Sequence, residues 1–235
     1  MTKRVLLDRD LTHASLDVAM GLCAKGVTGD EARAMLHERL LAESLGETAR
    51  IKTVTALMRT WLNPDPEVAS LVSQGAAFSE MTPDSRPLHI GVLLATQPFF
   101  ADQAAIVGRI LAVQGEVQTP AIRTKMKAIW GPRRSVDVAV QRTVKTMRSL
   151  GMIAGAASDS ENTKGTTFAL DPTLSGWVVA CLMAARGVDA LSVTDVLSAP
   201  ELFCFSMSSI PDGAAVGISR VNEGGGRTVL VKTDR

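Results

Sequence analysis

Apolar residues recur at three- and four-residue spacings over most of this 235-residue chain. Ala, Leu, Met and Val spaced that way share one side of an α-helix, so the chain is expected to be mainly α. After a polar start, "SLDVAMGLCAKG" predicts a short helix ending at Gly26. "TGDEARAMLHERLLAESLG" predicts a second, with Thr28 and Glu31 spaced as a capping box and Gly46 as its stop. "ETARIKTVTALMRTWL" predicts a third, closed by "NPDP" at residues 63–66. "PEVASLVSQGAAF" is a fourth, and "MTPDSRP" a loop.

A second block opens near Leu88. "LHIGVLLATQPFF" is apolar nearly all round and is expected to be buried. "FADQAAIVGRILAVQG" predicts an amphipathic helix ending at Gly115. "TPAIRTKMKAIWG" places Thr119 at the N-cap, Pro120 at the first helical position and Gly131 past the end. "GPRRSVDVAVQRTVKTMRSLG" follows as a basic helix. "MIAGAA", the polar tip "SDSENTKG" and "TTFAL" then predict a β-hairpin. Further on, "DPTLSGWVVACLMAARG" predicts a helix capped near Asp171, and "AVGISRV" and "RTVLVK" around "NEGGG" a second hairpin. Without a strand–GxGxxG–helix context, Gly224 to Gly226 are read as a turn and not as a phosphate cradle. The organisation expected from these blocks is an N-terminal helical domain over 1–86, a winged helix-turn-helix over 87–170, and a C-terminal helix and hairpin over 171–235 that pack on the rest.

Charge singles out one segment. Residues 119–150 hold Arg123, Lys125, Lys127, Arg133, Arg134, Arg142, Lys145 and Arg148 against Asp137 alone, in a chain of net charge +1. On a helical wheel of residues 135–150, Val136, Ala139, Val140, Thr143, Val144, Met147 and Leu150 fall on one side. Arg134, Asp137, Val138, Gln141, Lys145 and Arg148 fall on the other, with Arg142 on the flank. Arg and Gln can reach base edges bidentately, and Lys neutralises phosphate. A helix, a second helix, the short turn "GPRRS", a basic helix and a hairpin follow the order of a winged helix-turn-helix, whose third helix enters the major groove. In that reading "SDSENTKG" is the wing and Lys164 its cation. The candidate DNA-contacting residues are these eight cations with Gln141 and Lys164. A solvated helix face used for protein docking is the plainer alternative. Single-strand binding by base stacking is disfavoured, because Trp130 is the one aromatic in the patch and is expected to pack α-helix onto core.

Other chemistry is sparse. Cys23, Cys181 and Cys204 lie far apart among apolar neighbours and are read as reduced, buried residues. His13, His37 and His89 are scattered, and "MLHERL" lacks a second His at zinc spacing. Asp8 and Asp10 form a possible acidic pair with no third ligand nearby. No nucleophile elbow, P-loop, nuclease or deaminase motif is present. No catalytic residue, metal or cofactor is therefore expected, and the protein is read as not an enzyme. There is no signal-peptide pattern, and the longest apolar run, "WVVACLMAA", is far below the roughly 20 residues of a membrane span, so a cytoplasmic protein with no membrane partner is expected.

In "TVTALMRTWLNP" (53–64), "LLATQPFFADQAAIVGRIL" (93–111), "GPRRSVDVAVQRTVKTMRSLGMI" (131–153) and "PELFCFSM" (200–207), the chain resembles the BrxA family, small components of the BREX bacteriophage-exclusion systems of bacteria. The likeness rests on the order and spacing of helical blocks, and none is a catalytic signature. It implies an N-terminal bundle similar to the antitermination factor NusB, a winged-helix part, and binding of double-stranded DNA without enzymatic activity. It also implies partners among the other BREX proteins, including a DNA methyltransferase and a large ATPase. The chain departs from the family after the basic helix, where the family carries a Trp and this chain has "GMIAG", and its tail beyond Met207 matches no family feature. A protein-docking adaptor and a winged-helix transcription regulator are the alternative functions.

Overall fold

The computed structural model describes residues 9–42, 45–156, 160–207, 216–223 and 227–233. Within them the chain is mainly helical, with three small sheets. The helices are α1 (His13–Ala24), α2 (Gly29–Arg39), α3 (Glu47–Leu57), α4 (Pro66–Phe78), α5 (Arg86–Thr96), α6 (Pro98–Gln114), α7 (Thr119–Trp130), α8 (Arg134–Ser149), α9 (Pro172–Arg186) and α10 (Val193–Leu197). The strands are β1 (Glu116–Gln118), β2 (Ile153–Ala154), β3 (Glu161–Lys164), β4 (Phe168–Leu170), β5 (Ala190–Ser192), β6 (Phe205–Met207), β7 (Ile218–Asn222) and β8 (Thr228–Lys232).

Local chemistry sets most helix ends. Asp171 Oδ1 accepts from the amides of Thr173 and Leu174 at 2.8 and 3.0 Å, which caps α9. Thr12 caps α1 by accepting from the Ser15 amide at 3.1 Å. Two expected ends differ. Thr28 does stand at the N-cap of α2, but its side chain makes no capping bond, so the capping box with Glu31 does not form. Gly46 begins α3 as its N-cap instead of ending the helix before it. The third helix also widens at its end. The Asn63 amide donates to the Met58 carbonyl, five residues back, at 2.6 Å, just before the prolines forbid further turns. Gln118, not Thr119, precedes α7, and the Thr119 amide and hydroxyl instead donate to the Ser160 carbonyl at 2.7 and 2.9 Å.

The sheet beside α8 corrects the expected hairpin. Its order is β1-β3-β2, antiparallel throughout, with Val117 opposite Asn162 and Ile153 opposite Lys164. The second hairpin strand is thus "ENTK", which the sequence pattern assigns to the tip, and Lys164 lies on that strand and not on the tip. Residues 157–159 of the expected tip lie outside the described residues. "TTFAL" instead supplies β4, which pairs in parallel with β6, Phe168 opposite Phe205. The physical reason is burial. Phe168 and Leu170 both need apolar cover, and Phe205 offers it with ring centroids 6.2 Å apart. In β3 only Asn162 is buried, so that strand suits a surface hairpin. The C-terminal hairpin β7–β8 forms as expected and is joined on its β8 side by β5. The glycine turn 224–226 between its strands lies outside the described residues.

One connected core runs through all these parts, from Leu11 and Leu16 to Ile218 and Leu230. At its centre α9 drives the fully buried Trp177 between α4 and α5. Gly75 and Gly91 make room for the indole: a Cβ built on Gly75 would stand 2.6 Å from a ring carbon, and one on Gly91 closer still. The indole Nε1 donates to the Leu71 carbonyl at 2.9 Å. No single helix among the described residues is long and apolar enough to cross a membrane.

Opposite signs are expected at two glycines. Gly91→Ala forces a methyl group into the Trp177 ring and should lower stability by about 1–3 kcal/mol through overpacking. Gly21→Ala, in α1 with nothing within 4 Å of the added carbon, should raise it by about 0.5–1 kcal/mol by stiffening the unfolded chain. Urea unfolding monitored by circular dichroism measures both, and a neutral Gly91→Ala would show that the indole is not wedged as described.

Candidate nucleic-acid interface

The segment that carries the basic cluster folds as α6, β1, α7, α8, β2 and β3 in chain order. α7 buries Ile122, Met126 and Trp130 along one line at four-residue spacing. Trp130 packs edge-on to Phe99 with centroids 5.1 Å apart, and its Nε1 donates to Asp102 of α6 at 2.9 Å. The chain then reverses through Gly131, whose φ of +88° is open to glycine and strained for other residues. Pro132 and Arg133 complete the turn, and α8 begins at Arg134.

α8 buries Val136, Ala139, Val140, Thr143, Val144, Thr146 and Met147. With 3.6 residues per turn, that stripe fixes what the other side presents. Arg134, Val138, Gln141 and Lys145 are all exposed and follow one another at helical spacing. Among the described residues Arg134 and Lys145 make no ion pair. Lys125 is exposed on α7, and Lys164 on β3.

The remaining cations are tied into the fold. Asp137 stands 2.8 Å from Lys127 Nζ and 3.4 Å from Arg123 Nε, so the single acid of the segment clamps α8 to α7 and its one negative charge is shared between two cations. Arg133 Nη2 donates back to the Trp130 carbonyl at 2.8 Å and braces the turn. Arg142 Nη1 reaches Asp10 Oδ1 at 2.8 Å. Arg148 differs most from the sequence expectation of a solvent-facing cation. Its guanidinium is half-buried and donates to Asn162 Oδ1 at 2.7 Å and to the Ala156 carbonyl at 2.6 Å, which straps α8 to the β2–β3 hairpin. The ten residues expected at the interface therefore divide. Arg134, Gln141 and Lys145 share one exposed line, with Lys125 and Lys164 on the elements beside it. Arg123, Lys127, Arg133, Arg142 and Arg148 have structural partners.

Two partners were invisible in the sequence. Asp10, read as half of an acidic pair with Asp8, is the counterion of Arg142, and Asp8 lies outside the described residues. Asn162, read as a loop residue, is 1% exposed and organises the hairpin by donating to the carbonyls of Val117 and Ser160, each at 3.2 Å. The segment holding Asp10 lies along the flank of α8, where the Leu11 amide donates to Thr146 Oγ1 and the His13 amide to Ser149 Oγ, both at 2.8 Å. Nothing in local spacing announces such pairings. Potential metal ligands gather elsewhere, at His13, Asp17 and His89, and include none of the interface residues. No protein-family model, curated protein or solved structure matches the chain.

The division can be measured. Arg148→Ala leaves Asn162 Oδ1 and a hairpin carbonyl short of a donor and should cost about 1–3 kcal/mol. Lys145→Ala removes a solvated side chain and should change stability by no more than about 0.5 kcal/mol. Thermal melts of both variants compare the two directly, and equal losses would contradict the division of α8 into strapped and free cations.

Proposed function

We propose that the chain is a DNA-binding accessory protein that docks α8 in the major groove of double-stranded DNA and catalyses no reaction. The observation that carries this reading is the exposed line Arg134, Val138, Gln141 and Lys145 on a helix that follows a tight glycine turn. Its chemistry suits base edges and backbone together. Arg134 and Gln141 offer bidentate hydrogen bonds, Val138 an apolar contact of the kind a thymine methyl accepts, and Lys145 a charge for phosphate. The element order α6, β1, α7, α8, β2, β3, with its antiparallel β1-β3-β2 sheet, supports assigning the segment to the winged helix-turn-helix class. The hairpin strapped to α8 by Arg148 is then the wing, and Lys164 is an exposed cation on it.

In the same reading α1 to α4 form the NusB-like bundle, and the protein works in the cytoplasm within a BREX phage-defence system. The defence methyltransferase and the large ATPase are its proposed protein partners. This part rests on the family resemblance in the helical blocks. A second reading, an adaptor that docks α8 on another subunit, is favoured by one observation. Val138 is 38% exposed in the middle of the face, while more than half of the expected cations are already engaged within the fold.

Salt dependence tests the first reading. If Lys125, Arg134, Lys145 and Lys164 neutralise about four phosphates, log K should fall with log salt at roughly −0.9 per contact. Arg134→Glu with Lys145→Glu reverses the field on the exposed line and leaves Arg148 in place. This double variant should stay folded, lose duplex affinity by at least about tenfold, and keep its protein partners. Unchanged duplex binding with loss of those partners would make α8 a protein-docking face.

A further inference from the structure

The fold assembles a cluster that the sequence keeps far apart. His13 and Asp17 stand one turn apart on α1, and His89 projects from α5. His89 is fully buried, and its Nε2 lies 2.9 Å from Asp17 Oδ1. His13 Nε2 is 3.3 Å from Asp17 Oδ2 and 2.7 Å from the hydroxyl of Ser85, which donates to Asp17 Oδ1 at 2.7 Å. One donor atom from each of His13, Asp17 and His89 lies within 4.8 Å of the other two. Ligand atoms of a tetrahedral zinc ion stand roughly 3.4 Å apart, given metal–ligand distances near 2.1 Å. The three donors thus need only small side-chain adjustments to share one ion.

Two further features point to a cation. Among the described residues no Lys or Arg pairs with Asp17, whose carboxylate is faced by imidazoles. The site is open on one side, with the His13 and Asp17 side chains 36% and 42% exposed. A fourth ligand position therefore faces solvent.

We propose that His13, Asp17 and His89 bind one divalent transition-metal ion of the zinc class, with water as fourth ligand, and that the ion staples α1 to α5. Two imidazoles with one carboxylate select such an ion over calcium or magnesium, which prefer all-oxygen shells. Ser85 sits beside the carboxylate and holds it in place, the outer-shell part that ligating carboxylates require. The site owes nothing to the DNA reading, so either can fail without the other.

The experiment uses the full chain stripped with a chelator and titrated with Zn²⁺ by calorimetry, and with Co²⁺ by visible absorption. The wild type should take up one equivalent of Zn²⁺, melt at a higher temperature when loaded, and give the absorption of four-coordinate Co²⁺. His13→Ala and Asp17→Asn, both at partly exposed positions, should fold yet bind at least about tenfold more weakly, with the thermal gain lost. His37→Ala, outside the cluster, should bind like the wild type. Absence of a saturable equivalent in the wild type, or undiminished binding in both ligand variants, overturns the proposal and leaves a hydrogen-bonded clasp.

Discussion

Burial of one side of α8 is the constraint on which the surrounding structure depends. Val136, Val140, Val144 and Met147 must leave water together, and each such side chain contributes about 1.5–3 kcal/mol when fully buried. A helix has no freedom to bury that stripe and choose separately what the opposite side shows. Once the stripe is seated, Asp137 turns toward α7, where Arg123 and Lys127 meet it. Arg142 turns toward the segment of Asp10, and Arg148 toward the hairpin. Arg134, Val138, Gln141 and Lys145 are left as an exposed line. The proposed reading surface is the residue of a packing problem already solved.

The same constraint separates total charge from usable charge. Eight cations over residues 119–150 give a strongly basic segment on paper. Pairing with Asp137 and Asp10 offsets part of that field, and the Arg148 hydrogen bonds fix a further guanidinium against the hairpin. Ion pairs that stay partly open to water, as these do, contribute little stability, so their consequence is chiefly geometric. They hold the two helices and the hairpin in one orientation, as a rigid docking element requires.

Much of this was legible in the sequence, for definite reasons. α4, α6, α8 and α9 are set by a local apolar period and by local punctuation such as Asp65–Pro66, Gly115 and Asp171. Such signals act over a few residues, and the helical wheel of α8 placed Val136, Ala139, Val140, Val144 and Met147 on the side that is buried and Val138 on the side that is exposed. What escaped was non-local. Parallel pairing of Phe168 with Phe205 and the bond from Arg142 to Asp10 join positions that no spacing rule relates. His13 and His89 likewise meet only because α1 and α5 pack together. Arg148 escaped for another reason: a long side chain at the edge of the exposed sector can fold back onto neighbouring carbonyls, and the wheel records direction but not reach.

Photocrosslinking from the middle of the exposed line tests the central claim most directly. A photoreactive side chain in place of Val138 would be compared with the same group in place of Val113, which is 85% exposed on α6 and outside the basic segment. With duplex DNA of mixed sequence at low salt, position 138 should crosslink to the DNA and position 113 should not. Crosslinking from position 113 alone, or from neither position while the duplex is demonstrably bound, would contradict the assignment of α8 as the surface that meets DNA.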